Sequence, residues 1–553
     1  EIASCLVGSE MCIRDRYTVA LTAFVLCSSM SAQDIYKVET LSGSDLNGTA
    51  RYVGMGGAMS ALGADLSTIG TNPAAIGMYR RSDVALTGSA TIQPNGQSFY
   101  EIDKARGSFD QAGFVYSFKT GDGKGKGVNF ANFAFNYQKR RNLKNFIGLD
   151  NIATPNGASQ SWQMQELAYY NGRGLDFSND NDCNYTTPLA VTGYDAQMIV
   201  EGRDANGNRI YTPRNSMAYN YYRAQWGGIQ QYDFNLSFNI SNQFYVGATF
   251  GVYNVDMHSH LEYDENLSAD GTHSIGAYNM NYDESVTGTG FDAKVGFIYR
   301  PIEESPFRIG LSVSTPIFYD LTHDAYLYME SPFQYTDTET NKTYDRTAAN
   351  YTVTDLDYRI RTPWKLNISA ATTVGNYLAL DAEYEVSRYT GAQVRYPDYD
   401  RYDYWSDSYI SSVRDREMDK EIDAMLNTVQ TFRVGAEVRM APGLFGRVGY
   451  NYVSSPFKKN AYLNTFTESP SYHYSLNTDY VNLGAINRLT LGLGYRCKHF
   501  YLDMAYQYQH QHGDVYAFRA TDYDAGMSSD NLLKGQDVKL DRHNIMLTLG
   551  LKF

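Results

Sequence analysis

From about residue 82 onward the chain alternates apolar and polar positions with a period of two. Near 232–240, Tyr232, Phe234, Leu236, Phe238 and Ile240 interleave with Asp233, Asn235, Ser237 and Asn239. Near 378–386, Leu378, Leu380, Ala382, Tyr384 and Val386 interleave with Asp381, Glu383 and Glu385. Near 432–440, Phe432, Val434, Ala436, Val438 and Met440 interleave with Arg433, Gly435, Glu437 and Arg439. Phe500, Leu502, Met504, Tyr506 and Tyr508 repeat the pattern, and Ile545, Leu547, Leu549, Leu551 and Phe553 end the chain on one face. Period two places successive side chains on opposite faces of a β-strand. The pattern predicts about fourteen strands, at roughly 82–93, 108–119, 127–140, 226–241, 243–262, 285–301, 306–329, 350–374, 376–396, 428–441, 443–456, 481–497, 499–513 and 541–553.

Alternation does not say where the apolar face points. It faces inward in a soluble sandwich and toward lipid in a membrane barrel. The connections decide between them. Short ones fall at 121–126, 241–243, 301–306, 375–376, 441–443 and 497–498. Long ones fall near 141–225, 263–284, 330–349, 397–427, 457–480 and 514–540, with a moderate one at 94–107. Short turns on one side and long loops on the other mark an outer-membrane barrel. An even strand count leaves both ends facing the periplasm. The terminal Phe553 matches the aromatic read by the outer-membrane insertion machinery, an expected partner together with outer-membrane lipid and lipopolysaccharide. The fold class expected is all-β: a closed transmembrane antiparallel β-barrel, because an open edge in lipid would strand backbone groups costing several kcal/mol each. The charged alternate face then lines the lumen. There Arg433, Arg439, Arg488 and Arg496 either pair with Asp381, Glu383, Glu437 and Asp503 or stand in a hydrated, unpaired wall.

Composition narrows the class further. The 553 residues carry a net charge of −14 with 20% charged residues, which argues against a nucleic-acid binder. Mean hydropathy is −0.44. No apolar run of helical membrane-spanning length occurs after residue 32, and this excludes a multi-helix membrane protein. The chain holds 49 Tyr and 26 Phe but 4 Trp, which reads either as a Tyr-rich soluble β protein or as interfacial girdles with Tyr-rich outer loops. Residues 17–32, YTVALTAFVLCSSMSA, read as a secretory signal peptide, cleaved before Gln33. Residues 1–16 lack an initiator Met and a formed basic region, and read as a non-native artefact. Cys183 and Cys497, the cysteines after that cleavage point, are expected on opposite sides of the membrane, without a disulfide or a Cys-based metal site.

Residues 33–81 differ from the strand-patterned remainder of the chain. They are rich in Gly with small residues between, and are too short for a domain of their own. Their compact character suits packing inside a barrel, with the barrel proper at 82–553. Three stretches stand out: Ala50-Arg51-Tyr52-Val53-Gly54-Met55-Gly56-Gly57-Ala58, then Gly63-Ala64-Asp65, then Asn72-Pro73-Ala74-Ala75-Ile76-Gly77. They resemble the hatch of the FadL/OmpP1/TodX family of outer-membrane transporters of hydrophobic compounds. Its Asn-Pro-Ala motif falls on Asn72, Pro73 and Ala74, in the glycine context of Gly54, Gly56 and Gly57. Gly310–Pro316 and Leu378–Tyr384 resemble barrel segments of the same family. The glycine-rich form is similar to members from Bacteroidetes, some of which are named haemin receptors. The resemblance implies a fourteen-stranded barrel with an N-terminal hatch in the lumen. It also implies passive uptake of a hydrophobic small molecule, of the long-chain fatty acid or aromatic hydrocarbon class. The ligand would be captured at the loops and would pass a rearranging hatch, in some members leaving laterally through a kinked strand. No cofactor, catalytic residue or nucleic-acid partner is implied.

Other motifs carry weaker chemistry. Ser and His are scattered, with no spacing that points to a nucleophile and its base. His258/His260 and His510/His512 are His-x-His pairs whose members share a strand face, reading either as solvated rims or as haem or metal capture. The stretch 415–426 has helical spacing of Met418, Ile422, Met425 and Leu426, either packing against other loops or offering a capture surface. The Gly-Lys run at 121–126 precedes no helix and is a turn, not a phosphate loop. Three functions stay open: a hydrophobic-compound channel, a haem or porphyrin receptor, and a structural or adhesive barrel.

Overall fold

The computed structural model describes residues 35–553 except 122–126, 184, 303, 337–342, 397–401, 404–407, 410–411, 465–475, 477 and 521–531. The stretches read as an artefact and a signal peptide, and all but the first residue of the expected 121–126 turn, lie outside the described residues. Fourteen strands form one antiparallel barrel. They are β1 (Asp83–Ile92), β2 (Ala105–Lys119), β3 (Val128–Asn142, resuming at Asn145–Ala153), β4 (Asn215–Ile240), β5 (Phe244–Ser268), β6 (Ser274–Tyr299) and β7 (Arg308–Ser314, then Phe318–Ser331). Next come β8 (Thr347–Arg361, then Lys365–Val374), β9 (Leu378–Arg388), β10 (Thr428–Ala441), β11 (Leu444–Val453), β12 (Tyr480–Arg496), β13 (Phe500–Tyr516) and β14 (Arg542–Lys552). β14 returns to β1 from Asp83↔Lys552 to Ile92↔His543, which closes the wall.

The apolar register of each lower strand faces out. Leu489, Leu491 and Leu493 on β12 and Ile545, Leu547 and Leu549 on β14 are each about half exposed, while Arg488, Thr490 and Thr548 between them are buried in the lumen. A continuous apolar exterior over a polar interior is the inverse of a soluble protein, and it places this part of the wall in the bilayer. The barrel is of the outer-membrane kind.

β4, β5 and β6 run 26, 25 and 26 residues, far beyond the 9–11 or so that cross a membrane. The expected loops at 141–225 and 263–284 are accordingly shorter, at 154–214 and 269–273. The reason is a switch of apolar face. On β5 the exposed Phe244 and Phe250 lie on the outward register, but higher up the buried Tyr253, Val255, Leu261 and Tyr263 lie on the inward one. On β6, Phe291, Val295 and Phe297 face out, and Tyr278, Met280 and Tyr282 face in. β7 and β8 make the same switch with the backbone. Ile309, Leu311 and Val313 face lipid, and after the break at Thr315-Pro316-Ile317 the same odd-numbered parity, Tyr319, Leu321 and Leu327, faces inward. On β8 the buried Tyr358 and Ile360 give way, across Thr362-Pro363-Trp364, to the exposed Leu366 and Ile368. Proline cannot donate to the ladder, so it sits where a strand slips by one residue and every side chain changes face. The Thr362 hydroxyl accepts the Ile317 N–H at 2.8 Å and so mends the ladder.

The inward apolar residues of the upper wall need something to pack on, and three elements supply it. The insertion 154–214 folds over the mouth, and its Met164, Leu167, Leu189 and Val191 share a core with Tyr219, Tyr263, Tyr278 and Leu327 of the wall. Its helix Gln160–Leu167 is pinned by buried Glu265, which accepts from the Gln160 N–H and the Ser159 hydroxyl, both at 2.6 Å. Below it, helix α1 (Ile35–Ser42) and the loop helix Arg416–Met425 bury Ile35, Val38, Leu41, Met418 and Ile422 against Tyr253, Tyr319 and Tyr358. The expected helix at 415–426 is therefore present, and packing takes up its apolar face.

Candidate functional site

Residues 35–81 lie in the lumen, held there by docking stations built from opposite walls. The first receives helix α2 (Ala50–Gly54) and the turn after it. Thr49 caps α2, and Thr548 on β14 accepts the Ala50 N–H at 2.7 Å. Gly54-Met55-Gly56 then touches the wall backbone. A Cβ placed on Gly449 would stand 2.1 Å from the Gly56 nitrogen, and one on Gly435 would stand 2.3 Å from the Met55 oxygen. Only glycine on both surfaces permits that approach. Gly56 and Gly57, at φ +66° and +80°, also make a turn that L-residues with a Cβ resist.

The second station receives Asn72-Pro73-Ala74. Asn72 caps the 3-10 helix Pro73–Met78 through the Ala74 N–H, with Pro73 in the first turn, where its missing donor costs nothing. Its facing wall is again glycine: a Cβ on Gly247 would stand 2.4 Å from the Pro73 oxygen, and one on Gly296 would stand 2.0 Å from the Asn72 side chain. Between the stations two carboxylates on β9 hold four successive backbone donors. Glu383 accepts from Met59 and Ser60, both at 2.6 Å, and Asp381 accepts from Ala61 and Leu62 at 3.1 and 2.8 Å. Arg51 forks onto Glu437 at 2.9 and 3.0 Å.

The Asn72/Pro73/Ala74 and Gly54/Gly56/Gly57 motifs are thus contact points. Their wall counterparts escaped the sequence reading. The available signal was glycine on the inward parity of consecutive strands: Gly247, Gly296 and Gly310 on β5–β7, and Gly435 and Gly449 on β10–β11. Of the expected lumen pairs, Arg433–Glu383 at 3.3 Å and Arg496–Glu437 at 3.8 Å are present. Arg488 instead contacts Gln509 and Asn451, and Arg439 is exposed, with no ion pair among the described residues. Arg447, not anticipated, bridges Glu437 and Asp503 at 2.6 Å each.

Between the N-terminal segment and the wall lies a cavity of about 300 Å³, bordered by Tyr36, Asp45, Arg140, Lys294, Lys365, Glu385, Arg488 and Arg542 among others. Several of its cations meet neutral partners. Arg140 and Lys365 both donate to the Ser42 carbonyl, at 3.3 and 3.2 Å, while Arg141 donates to those of Glu39 and Thr40 and is also paired with the Glu39 carboxylate at 3.1 Å. Together they cap the orphan carbonyls of α1. Arg542 donates to the Asn142 carbonyl, and the nearest carboxylate to Arg488 is Asp45 at 3.8 Å. The cavity reaches the break in β3 at Asn142–Lys144, opposite Gly227 and Gly228, both at positive φ.

The two His-x-His pairs lie elsewhere. His258 and His260 sit on β5 and His510 and His512 on β13, six strands apart the shorter way round. Both pairs are on the outward register. Each imidazole faces an aspartate: Asp256 at 2.9 Å, Asp283 at 2.6 Å, Asp541 at 2.7 Å and Asp537 at 3.1 Å respectively. Tyr100 stacks on His260 at 4.0 Å. The geometry does not bring the pairs together. Cys183 is buried in the insertion, Cys497 is exposed beside the short β12–β13 turn, and the two do not form a disulfide.

A closed antiparallel wall with an apolar exterior, filled by the chain's own N-terminal segment, defines a plugged transmembrane β-barrel. No family model matches the chain, and no curated protein matches it. Among solved structures it is similar to a Pseudomonas aeruginosa FadL homologue, at 12% identity over 93% of this chain and 100% of that one, with a TM-score of 0.46. It is similar to the Ralstonia pickettii toluene transporter TbuX at 14% identity, over 92% and 99%, with a TM-score of 0.45. The Pseudomonas putida toluene transporter TodX stands at 11%, over 92% and 99%, with 0.43. These are distant likenesses of architecture.

Proposed function

We propose that the chain is a passive outer-membrane channel for small amphipathic molecules with an apolar body, that residues 33–81 act as its hatch, and that exit is lateral through the broken strand β3. The observation that carries this reading is the continuity of the lumen cavity with the wall break, level with the aromatic margin of the apolar band. A solute that partitions into lipid gains from such an opening, and a fully hydrated one does not. The cations around the cavity whose partners are neutral favour an ionised acidic head over a bare hydrocarbon, so a long-chain fatty acid fits better than toluene.

The test is flux of labelled oleate and of toluene into vesicles that carry the full chain. Arg488→Gln removes a charge-assisted contact worth about 1.5–3 kcal/mol, or roughly 10–100-fold in affinity. Oleate uptake should fall accordingly while toluene flux changes little. Equal effects on both would refute the head-group argument. The haem-receptor reading finds less support, because its four histidines lie on two distant outer faces. An unchanged Soret band on haem addition would end it.

A further inference from the structure

The break in β3 leaves a gap, crossed directly by one hydrogen bond among the described side chains, Lys139–Ser108 at 2.7 Å, and three side chains from elsewhere fill the rest of it. The β2–β3 ladder runs from Lys119↔Phe130 up to Gln111↔Gln138 and stops. Above that level β2 pairs with β1 alone, and the resumed part of β3, Asn145–Ala153, pairs with β4 alone. Across the lower edge of the gap, Phe109, just above the last pair, and Tyr137, just below it, stack at 5.6 Å on the lipid side. Exposed backbone groups at this depth must find partners.

Those partners come from two directions. From inside, Asn47 donates to the Lys139 carbonyl at 2.9 Å and to the Asp110 carboxylate at 3.2 Å. The Asp45 N–H donates to the Arg140 carbonyl at 2.9 Å, and its carboxylate accepts the Asn142 N–H at 2.8 Å. From the β1–β2 loop, the buried Gln93 amide imitates a strand. It donates to the Phe146 carbonyl at 2.9 Å and accepts the Phe146 N–H at 3.2 Å.

We propose that Asp45, Asn47 and Gln93 are the bolts of a lateral gate in the wall between β2 and β3. Asp45 and Asn47 belong to the N-terminal segment, so its withdrawal and the opening of the wall are one event. Gln93 shuts the upper end from outside, where a side chain releases more readily than a ladder. This rests on the reading of the gap as the exit.

Amide exchange across 139–146 reads the bolts directly, and oleate uptake by vesicles of phosphatidylcholine and phosphatidylglycerol reads the route. In the full chain, Asp45→Ala with Asn47→Ala, and separately Gln93→Ala, should accelerate exchange by about tenfold or more and raise uptake. Gln93→Glu, which keeps an acceptor and loses the donor, should fall between Gln93→Ala and the parent. For the lock, the native cysteines are first replaced by Ser. Asn47→Cys and Asp110→Cys then tether the segment to β2 at the edge of the gap, and oxidation should stop uptake until a reductant restores it. Unchanged exchange in the bolt variants overturns the bolts, whatever uptake does. Accelerated exchange, with oxidised protein carrying oleate at the reduced rate, overturns the exit and with it the gate.

Discussion

Replacing Gly449 with Ala should loosen the N-terminal segment without touching the barrel's exterior. The added Cβ would stand 2.1 Å from the Gly56 nitrogen and 2.3 Å from the Met55 carbonyl carbon, both backbone atoms that cannot rotate away. The segment would have to retreat by about 1 Å to restore normal contact. Overpacking of this kind costs about 1–3 kcal/mol. The retreat also weakens two hydrogen bonds, from Thr490 to the Gly54 carbonyl at 3.2 Å and from Asn451 to that of Gly56 at 3.4 Å. At about 0.5–1.5 kcal/mol each, the total reaches about 2–6 kcal/mol. Gly107 on β2 supplies the control, because a Cβ there meets nothing within 4 Å. Both substitutions restrict the unfolded chain equally, worth about 0.4–1 kcal/mol in favour of the fold. Amide exchange of residues 50–62 is the assay. Gly449→Ala should accelerate it by at least about tenfold, since about 1.4 kcal/mol corresponds to one decade, and Gly107→Ala should leave it unchanged. Equal exchange in the two variants would refute the close docking.

The wall and the insertion each give a further expected outcome. Leu549→Arg puts a charge on the apolar exterior and should cost about 2–4 kcal/mol at mid-membrane depth, read by denaturant titration in vesicles. Asn281→Arg, on the outward register of β6 above the apolar band, should cost almost nothing, and similar losses would refute the band's position. In the insertion, the hydrogen bond from Arg209 holds the Asp176 carboxyl down to about 2, and that from Arg173 holds Asp182 below its ordinary value. Carboxyls held low stabilise the fold above their ordinary range near 4 and lose that contribution as pH falls through the depressed value. Proteolysis of 154–214 should therefore quicken between about pH 4 and pH 2, and a rate flat over that window would contradict the pairing.

How much of this was legible in the sequence depends on which force wrote it. The lower barrel was legible because lipid outside and water inside impose period two on every strand. The fourteen strands, their order and the short turns all derive from it. The docking motif was legible as Asn72-Pro73-Ala74 with Gly54, Gly56 and Gly57, yet its wall partners were hidden. A glycine on β5, β6 or β10 reads as a weak strand residue until another backbone is seen against it. The insertion's size was misjudged because Asn145–Ala153 and the start of β4 alternate with the opposite sense to the membrane strands.

That inversion is the deeper reason for the difference. A strand that leaves the bilayer must turn its apolar face inward, and the chain does this by two routes. β5 and β6 keep their backbone phase and move the apolar residues to the other parity. β7 and β8 keep the parity and shift the backbone at Pro316 and Pro363. To alternation alone, the parity change on β5 and β6 mimics the end of a strand, and the backbone shift on β7 and β8 leaves no trace. Judged by what each face must touch, both mark the outer surface of the membrane. They mark it at the height where the cavity, α1 and the gap in β3 meet. The boundary between lipid and water thus fixes where the strands switch face, and the proposed route opens beside it.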